Sequence, residues 1–326
     1  MAEMHMVKAL NLALHECMAA DDRVLVCGQD VGVDEGVFRV TEKLLERFGP
    51  QRVLDSPLAE AGIIGTSIGM ALYGLRPVAE IQFSGFIYQG FHQIEQHMAR
   101  FRNRTRGRYS VPMVLRAPYG GGIRAVEHHS ESKEAYWAHT PGLKVVVPSG
   151  PRCARALLRA AILDPDPVVF YEPKAVYRAF REEVPDEPET MEIGKAHLAR
   201  AGQDITLISY GATMRATLEA AEDLADLHQV SAEVIDLLTV KPMDDAALAA
   251  SVQKTGRAVV INEGNRTCGV AAEVIARLNE KAFAYLEAPV RRITSYDIHF
   301  PYFSCEQVYL PDAERIVRAA LEVLEY

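Results

Sequence analysis

The stretch ITLISYGATMRATLEAAEDLADLHQVSAEVIDLL, residues 205–238, decides the fold. A short apolar run at 205–209 reads as a buried strand. Gly211 interrupts it, apolar residues then recur at helical spacing over 214–227, and a second apolar run follows at 232–237. Two strands separated by a helix pair in parallel, and the crossover between them is right-handed. The same grammar continues downstream, with a helix at 244–254, a strand at 258–262, a helix at 270–279, a strand at 291–295 and a final helix at 312–324. Upstream, strands are expected at 24–27, 78–81, 113–116, 144–147 and 168–171, and helices at 8–20, 38–48, 60–73, 90–101 and 151–163. Between the halves, RAFREEVPDEPETMEIGKAHLARAGQD (178–204) mixes charge and proline with little apolar periodicity. It reads as a linker with a short strand at 191–196. The expectation is two parallel-sheet α/β domains, residues 1–180 and 204–326, joined by a linker at 181–203.

Composition narrows the function. A chain of 326 residues, 49% hydrophobic and 24% charged, can fill two cores. Its 35 basic and 44 acidic residues leave a formal charge of −9, which argues against non-specific nucleic-acid binding. Cys17, Cys27, Cys153, Cys268 and Cys305 are scattered without C-x-x-C spacing, as reduced thiols are. The N-terminus has no signal-peptide apolar core. The longest uncharged apolar run, 61–75, is diluted by Gly62, Gly65, Gly69 and Gly74. A soluble cytoplasmic protein with no nucleic-acid or membrane partner is expected.

Chemistry concentrates in DSPLAEAGIIGTSIGMALYGLRPVAEIQFSGFIY, residues 55–88. Ser56-Pro57 reads as a helix start. A capping box led by Ser56 would place its carboxylate at position 59, which is Ala59, so Glu60 falls one residue outside that explanation. Ala61, Gly65 and Gly69 then recur every four residues. Each helical glycine costs about 1 kcal/mol relative to alanine, so such a face suits close approach by a backbone or a cofactor. A carboxyl group at the head of that face, among apolar neighbours, tends to stay protonated. Taken alone, Glu60 is better explained as a favourable charge at a helix N-terminus.

A second segment is RAPYGGGIRAVEHHSESKEAYWAHTPG, residues 116–142. Gly120, Gly122 and Ala125 satisfy G-x-G-x-x-A, but VEHHSES follows where a nucleotide-binding fold needs an apolar helix face. No acidic residue stands about 20 positions on. A glycine loop beside a polar histidine turn describes it better. Adjacent His128 and His129 lack the spacing of a zinc site. A histidine on a mobile loop is a candidate proton donor, or simply a hydrogen-bonded loop residue. Arg100, Arg102, Arg104, Arg106 and Arg108 would share one face of a strand but spread around a helix. Contacts with a partner subunit or an anionic ligand suit them better than nucleic acid. Neither a P-loop nor a Gly-Asp-Gly diphosphate motif is present.

With these segments in view, the sequence resembles the beta subunit of thiamine-diphosphate-dependent 2-oxo acid dehydrogenases. GQDVG, GVFRVTEKLLERFGPQRVLDSPLAEAGIIGTSIGMALYGLRPVAEIQF, HHSES, PDPVVFYEPK, AEVIDLLTVKP and LEAPVRRI carry the resemblance, in order, from about residue 7 to residue 326. IQFSGFIYQGF, HMARFRNRTRGRY and LEAPV resemble the pyruvate dehydrogenase branch more than the branched-chain branch. The resemblance implies a transketolase-like pyrimidine-binding domain followed by a transketolase C-terminal-type domain, in an α2β2 heterotetramer. It implies that the alpha subunit holds the diphosphate and Mg2+ of thiamine diphosphate. Glu60 matches the glutamate that hydrogen-bonds the aminopyrimidine ring and favours its imino tautomer. Leu58, Gln82 and Phe86 match positions lining the aminopyrimidine pocket.

His129 matches a histidine that assists acyl transfer to the lipoyl group by donating a proton to the opening dithiolane. Glu131 stands where many relatives carry glutamine, and a carboxylate beside His129 is expected to raise its pKa. Carbonyls around Ala161, Asp164 and Asp166 resemble a monovalent-cation (K+) loop. The region of Glu287 resembles the surface that docks the lipoyl acyltransferase core. The implied substrate is a small 2-oxo acid, pyruvate in the first instance. Branched-chain 2-oxo acid or acetoin dehydrogenase beta subunits, and a non-catalytic assembly subunit, remain open alternatives.

Overall fold

A computed structural model describes residues 1–326. In chain order the strands are β1 (Ala2–Met4), β2 (Val24–Gly28), β3 (Val53–Asp55), β4 (Arg76–Glu80), β5 (Val114–Tyr119), β6 (Lys144–Val146) and β7 (Val168–Pro173). They continue as β8 (Glu182–Val184), β9 (His197–Arg200), β10 (Ile205–Ser209), β11 (Ala232–Asp236), β12 (Thr239–Lys241), β13 (Ala258–Asn262) and β14 (Arg291–Thr294). A seven-stranded sheet runs β12-β6-β7-β5-β4-β2-β3, and a five-stranded sheet runs β14-β13-β10-β11-β9. Within each, every pairing is parallel except that of one edge strand, β12 against β6 and β9 against β11. The central strands are buried along their whole length, as strands covered by helices on both faces must be.

Several local expectations shift. The strand expected at 191–196 lies instead at His197–Arg200, because Gly194 turns the chain there with φ of +94°. Of the helix expected at 38–48 only Leu44–Phe48 forms. The preceding residues turn, and the Asn11 amide takes the Val40 and Glu42 carbonyls at 2.9 and 3.0 Å. Where a helix is expected at 90–101, a 3-10 segment, Ser84–Gly90, leads into a π-helical turn, Gln93–Met98, and a short α-helix, Phe101–Arg104. Ser56 caps nothing: its hydroxyl donates to the Pro57 carbonyl, and the helix begins at Glu60.

The two sheets are physically linked. After β11 the chain crosses over as β12 and pairs Thr239 and Lys241 with Val146 and Val145 at the edge of the first sheet. The two-stranded pair of β1 with β8 ties the chain's start to the segment between the sheets. No helix is long and apolar enough to cross a membrane. Most of the segments singled out above lie just beyond the carboxyl ends of strands β2, β3, β4, β5 and β7, where open parallel sheets bind their ligands.

Candidate active site

Glu60 is the first residue of the helix Glu60–Leu72 and is half-buried. Leu58, two residues earlier, is exposed. The helix packs against the Ser84–Gly90 segment, whose last glycine sits so close to Ile64 and the Glu60 carbonyl that a side chain there would collide. Thus the head of the Glu60 helix and the Gln82–Phe86 segment form one unit. Of the small-residue face, Gly65 packs against Gln93, whereas Gly69 has no neighbour within 4 Å of where a Cβ would stand.

Gln82 follows β4. Its side-chain amide donates to the Gln29 carbonyl at 3.0 Å and to Glu80 at 3.1 Å, and the peptide from Gln82 to Phe83 is cis. Glu80 accepts from Arg116 Nη1 at 2.8 Å, and Arg116 donates twice more to Glu172, at 2.6 and 2.9 Å. Tyr177 donates to the same Glu172 carboxylate at 2.6 Å. All of these charged groups are buried. Burial by itself would depress Arg116, but Glu172 and Glu80 outweigh it and hold its guanidinium more firmly protonated than usual. The sequence reading missed this network. Its signal was there to read, since Arg116 and Glu172 are the lone charges of apolar strands and Glu80 follows the apolar Pro77–Ala79, and a buried charge requires a partner.

His129 sits on the loop after β5, between two aromatic edges. The Phe83 and Phe86 rings lie 4.7 and 5.5 Å from its ring, each near perpendicular. His128 is exposed, lies 3.6 Å from the Glu127 carboxylate and approaches the Phe86 ring at 6.0 Å. The structure therefore brings Phe86 and His129 together, and Gln82 lies at the start of the segment that carries Phe83 and Phe86. The expected effect of Glu131 is overturned. The His129 pKa lies below the ordinary histidine value, depressed first by burial, then by the Lys174 ammonium and by His128. The Glu131 carboxylate turns away, toward Gly85 and toward Lys133 at 3.9 Å. Gly85 has room for no side chain there, since a Cβ would meet the His128 carbonyl at 2.5 Å and Glu131 at 2.8 Å. Lys174, another residue the sequence reading missed, is itself pushed down to about 8 by burial.

The remaining candidates lie elsewhere. Arg76 donates to the carbonyls of Ile162 and Asp164 at 2.8 and 3.2 Å, and the Ala161 carbonyl accepts from the Asp164 N–H at 3.3 Å. Lys144 pairs with the Asp164 carboxylate and Arg102 with Asp166, so fixed cations serve much of the loop read as a cation site. Glu287 is exposed, pairs with Arg257 at 2.5 Å, and neighbours exposed Phe283 and Tyr285. Arg100 to Arg108 spread around a helical turn and the bend after it, with all five side chains exposed.

Comparisons with known proteins bear on the fold and the family. Residues 2–179 match the family described as transketolase, pyrimidine binding domain, and residues 194–316 match transketolase, C-terminal domain. The chain is 47% identical over 326 residues to the Pyruvate dehydrogenase E1 component subunit beta of Bacillus subtilis (strain 168), covering 100% of both chains. It is 49% identical, at the same coverage, to the protein of that name from Staphylococcus epidermidis. To the one from Acholeplasma laidlawii it is 48% identical over 316 residues, covering 97% of this chain and 96% of the relative. Among solved structures, a split gene transketolase described as an inactive beta4 tetramer superposes with a TM-score of 0.81 at 21% identity. It covers 99% of each chain, a likeness of fold. With a transketolase pyrimidine-binding domain, a transketolase C-terminal domain and near-half identity along its whole length, this chain belongs to the family of pyruvate dehydrogenase E1 component beta subunits.

Proposed function

We propose that this chain is the beta subunit of the decarboxylating component of a 2-oxo acid dehydrogenase complex, that its substrate is pyruvate, and that it supplies half of each active site in an α2β2 heterotetramer. The observation that carries the reading is the packing of His129 against Phe83 and Phe86 beyond the strand ends, on the segment that begins at Gln82 and against which the Glu60 helix packs. These groups fit an aminopyrimidine. Glu60 offers a carboxyl group to a ring nitrogen, and Phe86 a partly buried aromatic face. Gln82 spends its amide N–H groups on Glu80 and Gln29, which leaves its amide oxygen for an amine. Bound thiamine diphosphate would supply the carbon nucleophile and the electron sink for loss of CO2.

The roles of this chain's own residues then follow. Glu60 holds or releases the proton at the aminopyrimidine ring nitrogen. The Glu80–Arg116–Glu172 network keeps Gln82 in place. The His129 imidazole gives a proton to the lipoyl sulfur as the dithiolane opens. On this reading the diphosphate and Mg2+ are held by the alpha subunit, as the family resemblance implies. K+ would find ligands at the Ala161–Asp166 loop only in carbonyls that Arg76 leaves free. The exposed surface at Phe283, Tyr285 and Glu287 faces the acyltransferase core.

The test is to purify the chain with whatever subunit co-elutes from its own cells and to assay thiamine-diphosphate-dependent decarboxylation with a dye as electron acceptor. Faster consumption of pyruvate than of 2-oxoisovalerate is expected. A preference for 2-oxoisovalerate or acetoin overturns the substrate. A stable complex that consumes none of the three overturns the catalytic reading.

A further inference from the structure

The loop that carries His129 runs from Gly120 to Ser132 and contains no helix or strand. Gly122, Arg124 and Val126 all have positive φ, so no repeating hydrogen-bond ladder fixes its shape. Its two ends nevertheless meet at one atom. Glu263, which directly follows β13 in the second domain, accepts the Gly121 N–H at 2.6 Å and the Ser132 hydroxyl at 2.8 Å on the same carboxylate oxygen, Oε1. We propose that Glu263 is a positioning residue for acyl transfer: from the second domain it staples the base of the loop and so fixes where His129 stands relative to Phe83 and Phe86.

Three features separate a staple from an ordinary buried acid. Glu263 is buried, so its hydrogen bonds act in a medium where charge-assisted donors are worth most. The backbone around it is reinforced. Lys174 donates to the Gly120 carbonyl at 2.6 Å, the Gly120 N–H reaches the Glu131 carbonyl at 3.2 Å, and Ser84 donates to that carbonyl at 2.7 Å. A second carboxylate of the same domain, Glu306, accepts from the Gly122 and Arg124 N–H groups. Finally, there is no slack. A Cβ at Gly121 would fall 2.5 Å from the Phe300 ring, so the second domain presses directly on the loop stem. Between these anchors, residues 122–124 and 126–128 are exposed. A loop anchored at its stem in this way, with exposed residues beyond, takes much of its geometry from the stem. A displacement of about 1 Å at a reacting group can cost on the order of a hundredfold in rate.

The proposal rests on the acyl-transfer reading of His129, and its test keeps the two apart. Glu263→Ala, Glu263→Gln and His129→Ala are made in the assembled complex. Three readouts are taken: hydrogen exchange of the 120–132 amides, with tryptic cleavage after exposed Arg124; decarboxylation with a dye acceptor; and acylation of a lipoyl domain. Glu263→Ala is expected to speed exchange and cleavage at least tenfold and to slow lipoyl acylation about 10- to 100-fold, with decarboxylation changed less than twofold. Glu263→Gln keeps an acceptor oxygen and is expected to restore most of both. Unchanged loop exchange in Glu263→Ala overturns the staple. So does an equal loss in the two half-reactions, or a glutamine variant as impaired as alanine. If His129→Ala leaves acylation intact, the role of His129 falls and the catalytic half of the proposal falls with it, while the exchange data still judge the staple. Should Glu263→Ala fail to fold, Ser132→Ala removes one arm and is held to the same criteria.

Discussion

Glu80 and Arg116 stand directly opposite one another across the β4–β5 pair, and their 2.8 Å ion pair is buried. Because Glu80 also accepts from Gln82, the side chain expected to meet the aminopyrimidine is continuous with a charged core that reaches Glu172 and Tyr177.

Removing the cation at the centre of that network strands two carboxylates in the interior. Breaking a buried pair from one side costs about 3–5 kcal/mol. Arg116→Met is therefore expected to destabilise the assembled protein by roughly that much in chemical denaturation, and to weaken thiamine-diphosphate binding by loosening Gln82. A loss below about 1 kcal/mol would mean that Glu80 and Glu172 are protonated and share the site without Arg116.

Glu60 is half-buried at the helix head, apart from that network. Glu60→Ala and Glu60→Gln are expected to leave assembly intact and lower decarboxylation by about 10²- to 10⁴-fold, the usual worth of a positioned acid–base group. Near-normal turnover in a correctly assembled Glu60→Gln complex would remove Glu60 from the proton chemistry.

The parts of the fold legible in the sequence are those whose cause is local. Runs such as 205–209 and 258–262 are uncharged, mostly apolar and buried throughout because each strand is covered on both faces, and the helices between them carry one apolar stripe. Strand β12 could not be read that way. Three residues long, it owes its place to the edge of a sheet built about 100 residues earlier in the chain. The turns at 38–43 depend likewise on Asn11, far back in the chain. In the site, Gln82 and Phe86 were legible only through the family resemblance, whereas Glu60 and His129 stood out by type and position. The orientation of Glu131 did not, since whether a carboxylate faces a histidine or turns toward Gly85 and Lys133 is settled by packing across the loop. Lys174 and Glu263 were invisible for the same reason: Lys174 meets the histidine loop because β7 pairs beside β5, and Glu263 meets it only once the two sheets are docked.

The thiols should divide sharply. Burial lifts Cys17 and Cys27 to about 11 and Cys153 to about 12, whereas Cys268 and Cys305 are exposed. Only thiolates react quickly with disulfide reagents. Titration of the native chain near neutral pH is expected to show two fast thiols of the five, and all five after denaturation. A third fast thiol in the native chain would require local opening around the buried set.

The last prediction concerns the proton that His129 donates. A donor works only in its protonated form, and the His129 pKa is lowered by burial and then by the Lys174 ammonium. Lipoyl acylation should therefore fall as pH rises through a value below that of a free histidine. Lys174 carries its charge throughout that range, since its own pKa is about 8. Lys174→Met deletes the charge that disfavours the imidazolium, so the His129 pKa rises and the basic limb of the acylation profile moves to higher pH. The decarboxylation profile of the same variant provides the control and should keep its shape, because no role there is assigned to either residue. Were Glu131 the dominant neighbour of His129, its charge would lift the pKa instead. The wild-type limb would then lie above the ordinary histidine value, and Glu131→Gln would move it down. The turned-away Glu131 carboxylate predicts that Glu131→Gln leaves the limb in place. Acylation rates of the wild type and the two variants between about pH 5 and 8, the range in which histidine changes charge, decide between the two electrostatic pictures.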